Sequence, residues 1–229
     1  MNWRDFWNGE HSIYVNDRHR ALHDDRIARD VAALIGRPDD VVLDFGCGEA
    51  SSAGLVAAKC ARLYLYDAAP KVREHLRLRF SRNEKITVLD AGGVDEIADH
   101  SLDLMVVNSV LQYLTHGEFE VVLEAARRKL EPSGRFVVAD VIPAGAKATD
   151  DIRALLAFAR DGGFFFAALA GLAATFFSDY RKLRAEIGLT RYSEDDIRAI
   201  FAAHGFAAER AATNIGHNQS RMMFAATLR

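Results

Sequence analysis

The chain has 229 residues, half of them hydrophobic, and a formal net charge of -3. This length fits one domain of ordinary size with a full hydrophobic core, and the slight negative charge disfavours a general nucleic-acid binder. Its two cysteines, Cys47 and Cys60, cannot form a disulfide framework, which favours a reducing, cytoplasmic setting.

The N-terminus carries no signal-peptide pattern. The most apolar run, 162–177, is shorter than the roughly 20 residues that a membrane span needs. We therefore expect no transmembrane span, and we interpret this run as buried or interfacial, which leaves peripheral membrane contact open.

The predicted elements begin with an N-terminal arm, 1–36, whose later part has the apolar spacing of a helix. Four short apolar runs with strand character follow at 41–43, 63–66, 86–89 and 104–107. Predicted helices over 51–59, 70–80 and 93–98 separate them, and a longer amphipathic helix over 117–130 precedes a fifth strand at 135–141. This alternation predicts a parallel sheet with helices on both faces.

The alternation stops after Pro143, and residues 144–190 contain no strand-like run. We predict two or three inserted helices there. A helix over 193–204 follows, opened by a capping pattern at Ser193, and two strands at 207–215 and 221–228 are joined by a short turn at 216–220, which requires an antiparallel pair. The predicted fold is α/β: a seven-stranded, mostly parallel, doubly wound sheet with the last strand antiparallel and a helical insertion after strand five.

The first predicted strand runs into a glycine loop, Asp44-x-Gly46-x-Gly48, before a helix. Glycines let a backbone approach a nucleotide cofactor closely, although such a loop alone is a weak signal. Asp67 and Asp90 end the next two strands. Acids at these strand ends could accept hydrogen bonds from ribose hydroxyls and from an adenine amino group, because open α/β sheets bind ligands at that edge. Each acid could instead be a helix cap or turn former.

With these features, the chain resembles the class I methyltransferases that depend on S-adenosylmethionine (SAM). The resemblance rests on the segments VLDFGCGEA, LYLYDAAP, ITVLDAGG, SLDLMVVNSVLQYL and LEPSGRFVVADV, between residues 41 and 141. It implies SAM as cofactor and S-adenosylhomocysteine as product. A nicotinamide dinucleotide is the rival, but Ser51 stands at the third glycine of its fingerprint, and Asp44 would repel a pyrophosphate.

The resemblance also implies the roles of individual residues around the cofactor. Asp44, Gly46 and Gly48 would line the methionine part, with Cys47 as a small filler between them. Asp67 would hold the ribose. The adenine would meet Ala68, Asp90 and Ala91, and the end of strand four, Asn108 and Ser109, would face the amino group of SAM.

The acceptor is expected above the same strand ends. His217 is the candidate general base, since a free histidine titrates near neutrality, and Asp140 and Tyr113 are further catalytic candidates. Tyr14, His23, Gln112 and Asn214 are candidate substrate-binding residues. Surface or packing roles are the alternatives for these side chains. No metal site is predicted, because His19 and His23 lack a third ligand with suitable spacing.

The whole chain is predicted to form one methyltransferase domain: arm or lid 1–36, SAM-binding core 37–143, insertion 144–190 with the acceptor pocket, and closing helix and strands 191–229. The apolar insertion favours a small, hydrophobic or lipid-like acceptor, unless it is only core packing. A basic stretch, 71–85, leaves open an RNA or protein acceptor, but it lacks the aromatic residues of RNA recognition, so nucleic acid is not the expected partner. A non-catalytic SAM-binding module is a separate alternative. Oligomeric state is not predicted.

Overall fold

The computed structural model describes residues 14–175 and 188–229, so residues 1–13 of the predicted arm and 176–187 of the predicted insertion lie outside the described part. Its seven strands form one sheet in the order β3-β2-β1-β4-β5-β7-β6. They are β1 (Val41–Phe45), β2 (Arg62–Tyr66), β3 (Ile86–Val88), β4 (Leu102–Asn108), β5 (Leu130–Val141), β6 (Phe206–Arg210) and β7 (Met222–Leu228). Strand β7 runs antiparallel to its neighbours β5 and β6, whereas the other pairs are parallel. The predicted fold class is confirmed.

Helices cover both faces of this sheet. They are α1 (Asp17–Leu34), α2 (Ala53–Ala57), α3 (Pro70–Phe80), α4 (Gly93–Glu96), α5 (His116–Lys129), α6 (Ala148–Gly162), α7 (Phe165–Thr175) and α8 (Glu194–Ala203). Local sequence sets several of their starts. Reciprocal capping boxes begin α5 at Thr115 and α8 at Ser193, and Asn16 caps α1 by accepting a hydrogen bond from the His19 backbone N–H at 2.8 Å.

Alternate residues of the central strands enter two separate cores. On one face, Leu43 and Phe136 pack with the buried Phe119 of α5 and Phe201 of α8. On the other face, Val42, Leu65 and Val106 join residues from α1, α2 and α3. Burial on both faces explains why these strands read as continuous apolar runs in the sequence.

The C-terminal strand pair differs from its prediction. Strand β6 ends at Arg210 rather than at residue 215, so residues 211–221 form a loop of eleven residues rather than a tight turn. This loop is held by side-chain hydrogen bonds. The Gln219 side-chain amide accepts from the Asn214 backbone N–H at 2.9 Å and donates to the Asn214 carbonyl at 3.0 Å. Asn and Gln side chains supply the partners that a regular strand would otherwise provide.

The inserted helices α6 and α7 pack on the N-terminal helix α1 through a third, small core. Two glycines allow this close approach. A Cβ on Gly171 would lie 2.4 Å from Val15 Cγ1, and a Cβ on Gly162 would lie 2.8 Å from Leu22 Cδ1. The described parts of the arm and of the insertion therefore meet along one interface.

Strand order reverses direction between β1 and β4, because β2 and β3 follow on one side and β4 and β5 on the other. Such a point leaves a crevice at the carboxyl ends of the strands, where open α/β sheets bind ligands. No helix in the described ranges is long and apolar enough to cross a membrane.

Candidate functional site

The glycine loop after β1 has a backbone that only small residues tolerate. Gly46 and Gly48 have φ values of +76° and +58°. The backbone N–H groups of Gly46 and Cys47 both donate to the Tyr66 carbonyl, at 2.7 and 3.0 Å, which fixes the loop on β2. A Cβ on Gly48 would meet no atom within 4 Å, so this glycine faces open space in the site.

Ala50 follows in the same loop, and its φ is +37°. The loop therefore has a positive φ at a residue that is not glycine. A non-glycine residue in this region carries some backbone strain, which is typical of ligand-binding turns.

Gly46 differs from Gly48 in its surroundings. A Cβ on Gly46 would lie 2.3 Å from Val110 Cγ2. We expect Gly46→Ala to destabilise the protein by about 2–3 kcal/mol, since it adds both strain at positive φ and a clash with the segment after β4. Thermal unfolding of the variant would measure this loss. The matched change Gly48→Ala should cost less stability, because it adds strain alone, and equal losses would contradict the clash.

Two carboxylates stand beside this loop. Asp67 accepts hydrogen bonds from the backbone N–H groups of Gly48 at 3.0 Å and Ala69 at 2.8 Å. Burial, with a further contribution from the Asp67 charge, raises the pKa of Asp44 to about 7. Burial also raises the pKa of the Cys47 thiol, which favours the filler role over a reactive thiolate. A cationic ligand would offset the negative charge of this pair of acids.

The acids and the loop line a large cavity of about 1030 Å³ at the sheet's carboxyl edge. Most of the predicted site residues line it. They are Asp44, Gly46, Cys47, Gly48, Asp67, Ala68, Asn108, Ser109, Tyr14, His23, Gln112, Tyr113 and Asp140. Phe45 and Tyr66, which were not predicted, also line the cavity, and their ring centroids lie 4.8 Å apart. Both residues end strands, and that position is the sequence signal that could have identified them.

Asp90 and Ala91 do not line this cavity, in contrast to their predicted place at the adenine edge. The Asp90 side chain is 79% exposed and forms an ion pair with Arg77 of α3 at 2.5 Å. Attraction to this guanidinium accounts for the outward direction of the carboxylate. The structure thus gives no support to an adenine contact by either residue.

The N-terminal helix closes one side of the cavity. Asp24 of α1 accepts a hydrogen bond from the Ser51 hydroxyl beside the glycine loop and another from Tyr14. Burial and the charge of Asp24 raise the pKa of Tyr14 above its usual range, so Tyr14 remains a phenol. The described part of the arm is therefore fastened to the glycine loop through Asp24 and Ser51, and its role as a lid stays a prediction.

His217 lies in a cluster of aromatic rings and does not line the large cavity. Its ring stacks on Phe158 at 4.6 Å and lies 5.8 Å from the ring of His23. Burial and neighbouring charges lower the pKa of His217 to about 4 and that of His23 to about 3. Desolvation favours the neutral imidazole and makes His217 a weaker base than a free histidine, so its role as general base stays a prediction. Within the described residues, no group of three or more His, Cys, Asp or Glu side chains could hold a metal ion.

Asn214, a predicted substrate contact, has a different place. Its buried side chain accepts from the Asp140 backbone N–H at 2.9 Å and donates to the carbonyls of Ile215 and Asn218 at 2.9 and 3.1 Å. The amide is used within the protein and lies outside the large cavity. This corrects the prediction: Asn214 fixes the end of β5, where Asp140 lies.

Ser109 and Asp140 meet at the ends of the adjacent strands β4 and β5. Both have left-handed backbones, with φ of +59° and +58°, and the Ser109 hydroxyl donates to Asp140 Oδ2 at 2.8 Å. Gln112 lies nearby, is buried, and has an Oε1 atom without a hydrogen-bond partner. Two strained residues and an unsatisfied buried amide at one cavity wall are typical of a binding site.

Most of the basic side chains in the stretch 71–85 are bonded to acceptors of the same chain. Arg73 is buried and donates to the carbonyls of Asp67 and Ala68 at 2.7 and 3.0 Å. Arg79 pairs with Glu49 at 3.1 Å, and Lys85 donates to the Cys60 carbonyl at 2.8 Å. With Arg77 paired to Asp90, at least four of the six basic residues are bonded to acceptors of the same chain.

Comparison with known proteins gives these features a context. Residues 43–138 match the sequence profile of the family described as Methyltransferase domain. The sequence matches none of the curated proteins with which it was compared.

Solved structures share the fold at low sequence identity. A methyltransferase of Haloferax volcanii, in complex with the Trm112 methyltransferase activator, has a TM-score of 0.62 at 16% identity, over 100% of this chain and 98% of that chain. A Burkholderia thailandensis 1,6-didemethyltoxoflavin-N1-methyltransferase was solved with 1,6-didemethyltoxoflavin and S-adenosylhomocysteine bound. It has a TM-score of 0.58 at 16% identity, over 91% of this chain and 80% of that chain. The magnesium protoporphyrin IX methyltransferase of Synechocystis PCC 6803, also with S-adenosylhomocysteine bound, has a TM-score of 0.57 at 17% identity, over 99% of this chain and 93% of that chain.

Proposed function

We propose that this chain is a class I methyltransferase that uses SAM and that it methylates a small, largely apolar acceptor bound above the carboxyl ends of β4 and β5. The size of the cavity carries this proposal. Pockets for drug-sized ligands measure about 300–1000 Å³, so a cavity of about 1030 Å³ has room for the cofactor and a second small molecule. Apolar residues contribute much of the remaining wall: Phe45, Val110, Leu114, Val121 and Val122.

When bound, SAM supplies a methyl group on a sulfonium, so methyl transfer mainly needs alignment and exclusion of water. The chain offers groups for each of these needs. Asp67 would fix the ribose, and the carboxylate of Asp44 would balance the cationic methionine part. Asp140, oriented by Ser109, would accept a hydrogen bond from the acceptor. The arm, fastened through Asp24 and Ser51, would exclude water.

An RNA acceptor has less support. Phosphate binding needs lysines and arginines that are free to face the ligand. Four of the six basic residues in 71–85 are instead bonded to carboxylates and carbonyls of the same chain. Reversing these charges would therefore disturb the fold around Asp67 more than it would disturb an RNA surface.

The proposal is tested by incubating the protein with SAM carrying a CD₃ methyl group and an extract of the source cells. We expect the label in the small-molecule fraction, including organic-extractable compounds, and not in RNA or protein. A second arm uses Asp67→Ala, which should lose the labelling while keeping its folded circular-dichroism spectrum. Label that appears only in the macromolecular fractions would overturn the proposed acceptor class, and the proposed activity would be overturned if no fraction were labelled.

A further inference from the structure

Arg73 is a charged residue on the buried face of α3. It lies three residues before Leu76, and these two are the buried positions of this helix. Apolar residues normally fill such a face, because a buried arginine loses its hydration. Arg73 is also the fourth residue of α3, close to the helix N-terminus, where the helix dipole disfavours a positive charge. Both local effects oppose an arginine here, so contacts with other parts of the fold have to offset them.

The guanidinium of Arg73 contacts the turn that follows β2. Side chains of a helix point toward its N-terminus, and Arg73 Nη1 donates to the carbonyls of Asp67 and Ala68 at 2.7 and 3.0 Å. Both of these residues line the large cavity. The Asp67 carboxylate accepts from the backbone N–H groups of Gly48 and Ala69. The turn is therefore held through its carbonyls by Arg73 and through its carboxylate by two backbone N–H groups.

The Asp67 carboxylate lies among groups that disfavour its charge. Asp44 of β1, together with Cys47 and Glu49 of the glycine loop, faces it. Burial raises the pKa of Asp67, and the charge of Glu49 adds to this rise. The two backbone hydrogen bonds and the charge of Arg73 act in the opposite direction. Arg73 thus opposes the effects that would protonate Asp67.

Two other basic side chains of α3 are occupied by Glu49. Arg79 pairs with it at 3.1 Å, and His75 Nδ1 lies 3.2 Å from it. These contacts are at the surface, where solvent screens charges. Arg73 is buried, so its charge acts on the turn in a medium of lower dielectric constant and with a larger effect.

We propose that Arg73 is a positioning residue of the cofactor site: it fixes the Asp67–Ala68 turn through the two carbonyls, and its charge stabilises the Asp67 carboxylate. An ionised carboxylate accepts hydrogen bonds with both oxygens, as two ribose hydroxyls require, whereas a protonated one places a donor at one of them. Arg73 does not line the large cavity, so it acts on the cofactor through Asp67. This inference rests on the proposed function, because it explains how the ribose-binding acid is kept in its binding form.

The test follows Asp67 by NMR in ligand-free protein whose aspartates carry ¹³C at the carboxyl carbon. The variant Asp67→Asn assigns its signal. Arg73→Gln removes the charge but keeps an amide donor, whereas Arg73→Lys keeps the charge. We expect the titration midpoint of Asp67 to rise by about one pH unit or more in Arg73→Gln, the usual effect of losing a neighbouring opposite charge, and to change much less in Arg73→Lys.

Lys129→Gln is the matched control. Lys129 is also a buried cation that donates to backbone carbonyls, those of Asp95 and Ile97, and it lines neither the glycine loop nor the large cavity. The variant should unfold at a lower temperature and leave the Asp67 midpoint unchanged. A midpoint that is the same in Arg73→Gln as in the unmodified protein would overturn the role of Arg73, as would an equal rise in Lys129→Gln.

The unmodified protein provides a test that does not depend on the folding of any variant at Arg73. Both Asp44 and Asp67 are acids that burial affects, but the pKa of Asp44 rises to about 7 under burial and the charge of Asp67. The two backbone hydrogen bonds and Arg73 should therefore make Asp67 titrate at a lower pH than Asp44. The reverse order would contradict the stabilisation of the Asp67 carboxylate.

Calorimetry with S-adenosylhomocysteine links this effect to the cofactor. At pH 6 we expect Arg73→Gln to bind about tenfold more weakly or worse, since one pH unit changes the ionised population of Asp67 by that factor, and the deficit should shrink at pH 8.5. Binding by the unmodified protein with an equal affinity of Arg73→Gln at pH 6 would show that only the inference about Arg73 is wrong. If the unmodified protein does not bind S-adenosylhomocysteine, the proposed function itself is wrong.

Discussion

Replacing Asp67 by alanine is expected to weaken binding of S-adenosylhomocysteine at least a hundredfold. In the proposed complex this carboxylate accepts hydrogen bonds from two ribose hydroxyls. Hydrogen bonds to a charged group contribute about 1.5–3 kcal/mol each. Their combined loss, about 3 kcal/mol or more, corresponds to two orders of magnitude in Kd. The change also frees the backbone N–H groups of Gly48 and Ala69, which now donate to Asp67. Isothermal titration calorimetry measures the loss directly.

Asp90→Ala is the matched control, since Asp90 is also an acid at a strand end but pairs with Arg77 outside the cavity. We expect it to change the Kd less than threefold. A loss as large as that of Asp67→Ala would show that Asp90 turns to the cofactor on binding, which would restore the role implied by the family resemblance. Thermal unfolding of both variants checks that each is folded.

The second large effect is expected from Asp44→Asn and should depend on pH. The pKa of Asp44 is raised from 3.8 to about 7 in the folded protein. Folding therefore favours the protonated form of Asp44. The contribution of this form to the stability of the folded protein is fully present below pH 4 and is lost as pH rises through 7. The asparagine amide carries no charge, so the ligand-free variant should be more stable than the unmodified protein at pH 8, by at most about 4 kcal/mol from three pKa units.

Ligand binding should show the opposite sign. A cationic cofactor offsets the charge of Asp44, so the same variant should bind SAM more weakly at pH 8. Thermal unfolding from pH 5 to pH 8 and calorimetry with SAM provide the two measurements. Part of the pH dependence of stability should persist in the variant, because burial also raises the pKa of Asp67. A variant that is no more stable than the unmodified protein at pH 8 would contradict the proposed charge imbalance.

Much of the fold and of the cofactor site could be predicted because the information is local in sequence. Strands buried on both faces appear as short apolar runs. The helices between them are indicated by the helical spacing of their apolar residues and by capping residues such as Ser193. In a parallel sheet all strand ends meet at one edge, so Asp44, Asp67 and Asn108 could be placed together without coordinates.

Other properties depend on contacts between distant parts of the chain. Asp90, like Asp67, ends a strand and precedes an alanine, yet its side chain is exposed and pairs with Arg77. His217 resembles a surface turn histidine in sequence, but Phe158 and His23 bury it and lower its pKa. The difference arises because desolvation and ion pairing are set by neighbours in space.

The sequence by itself thus determined the order of the strands along the chain, the glycine loop, and the two acids Asp44 and Asp67 that line the large cavity. The tertiary structure alone decided how the described parts of the arm and the insertion meet at Gly171, that Asn214 holds the end of β5, and that a small cavity lies beside Asp140. The periodicity of strands and helices is a local property, whereas a cavity's shape and charge arise only when segments far apart in sequence pack together.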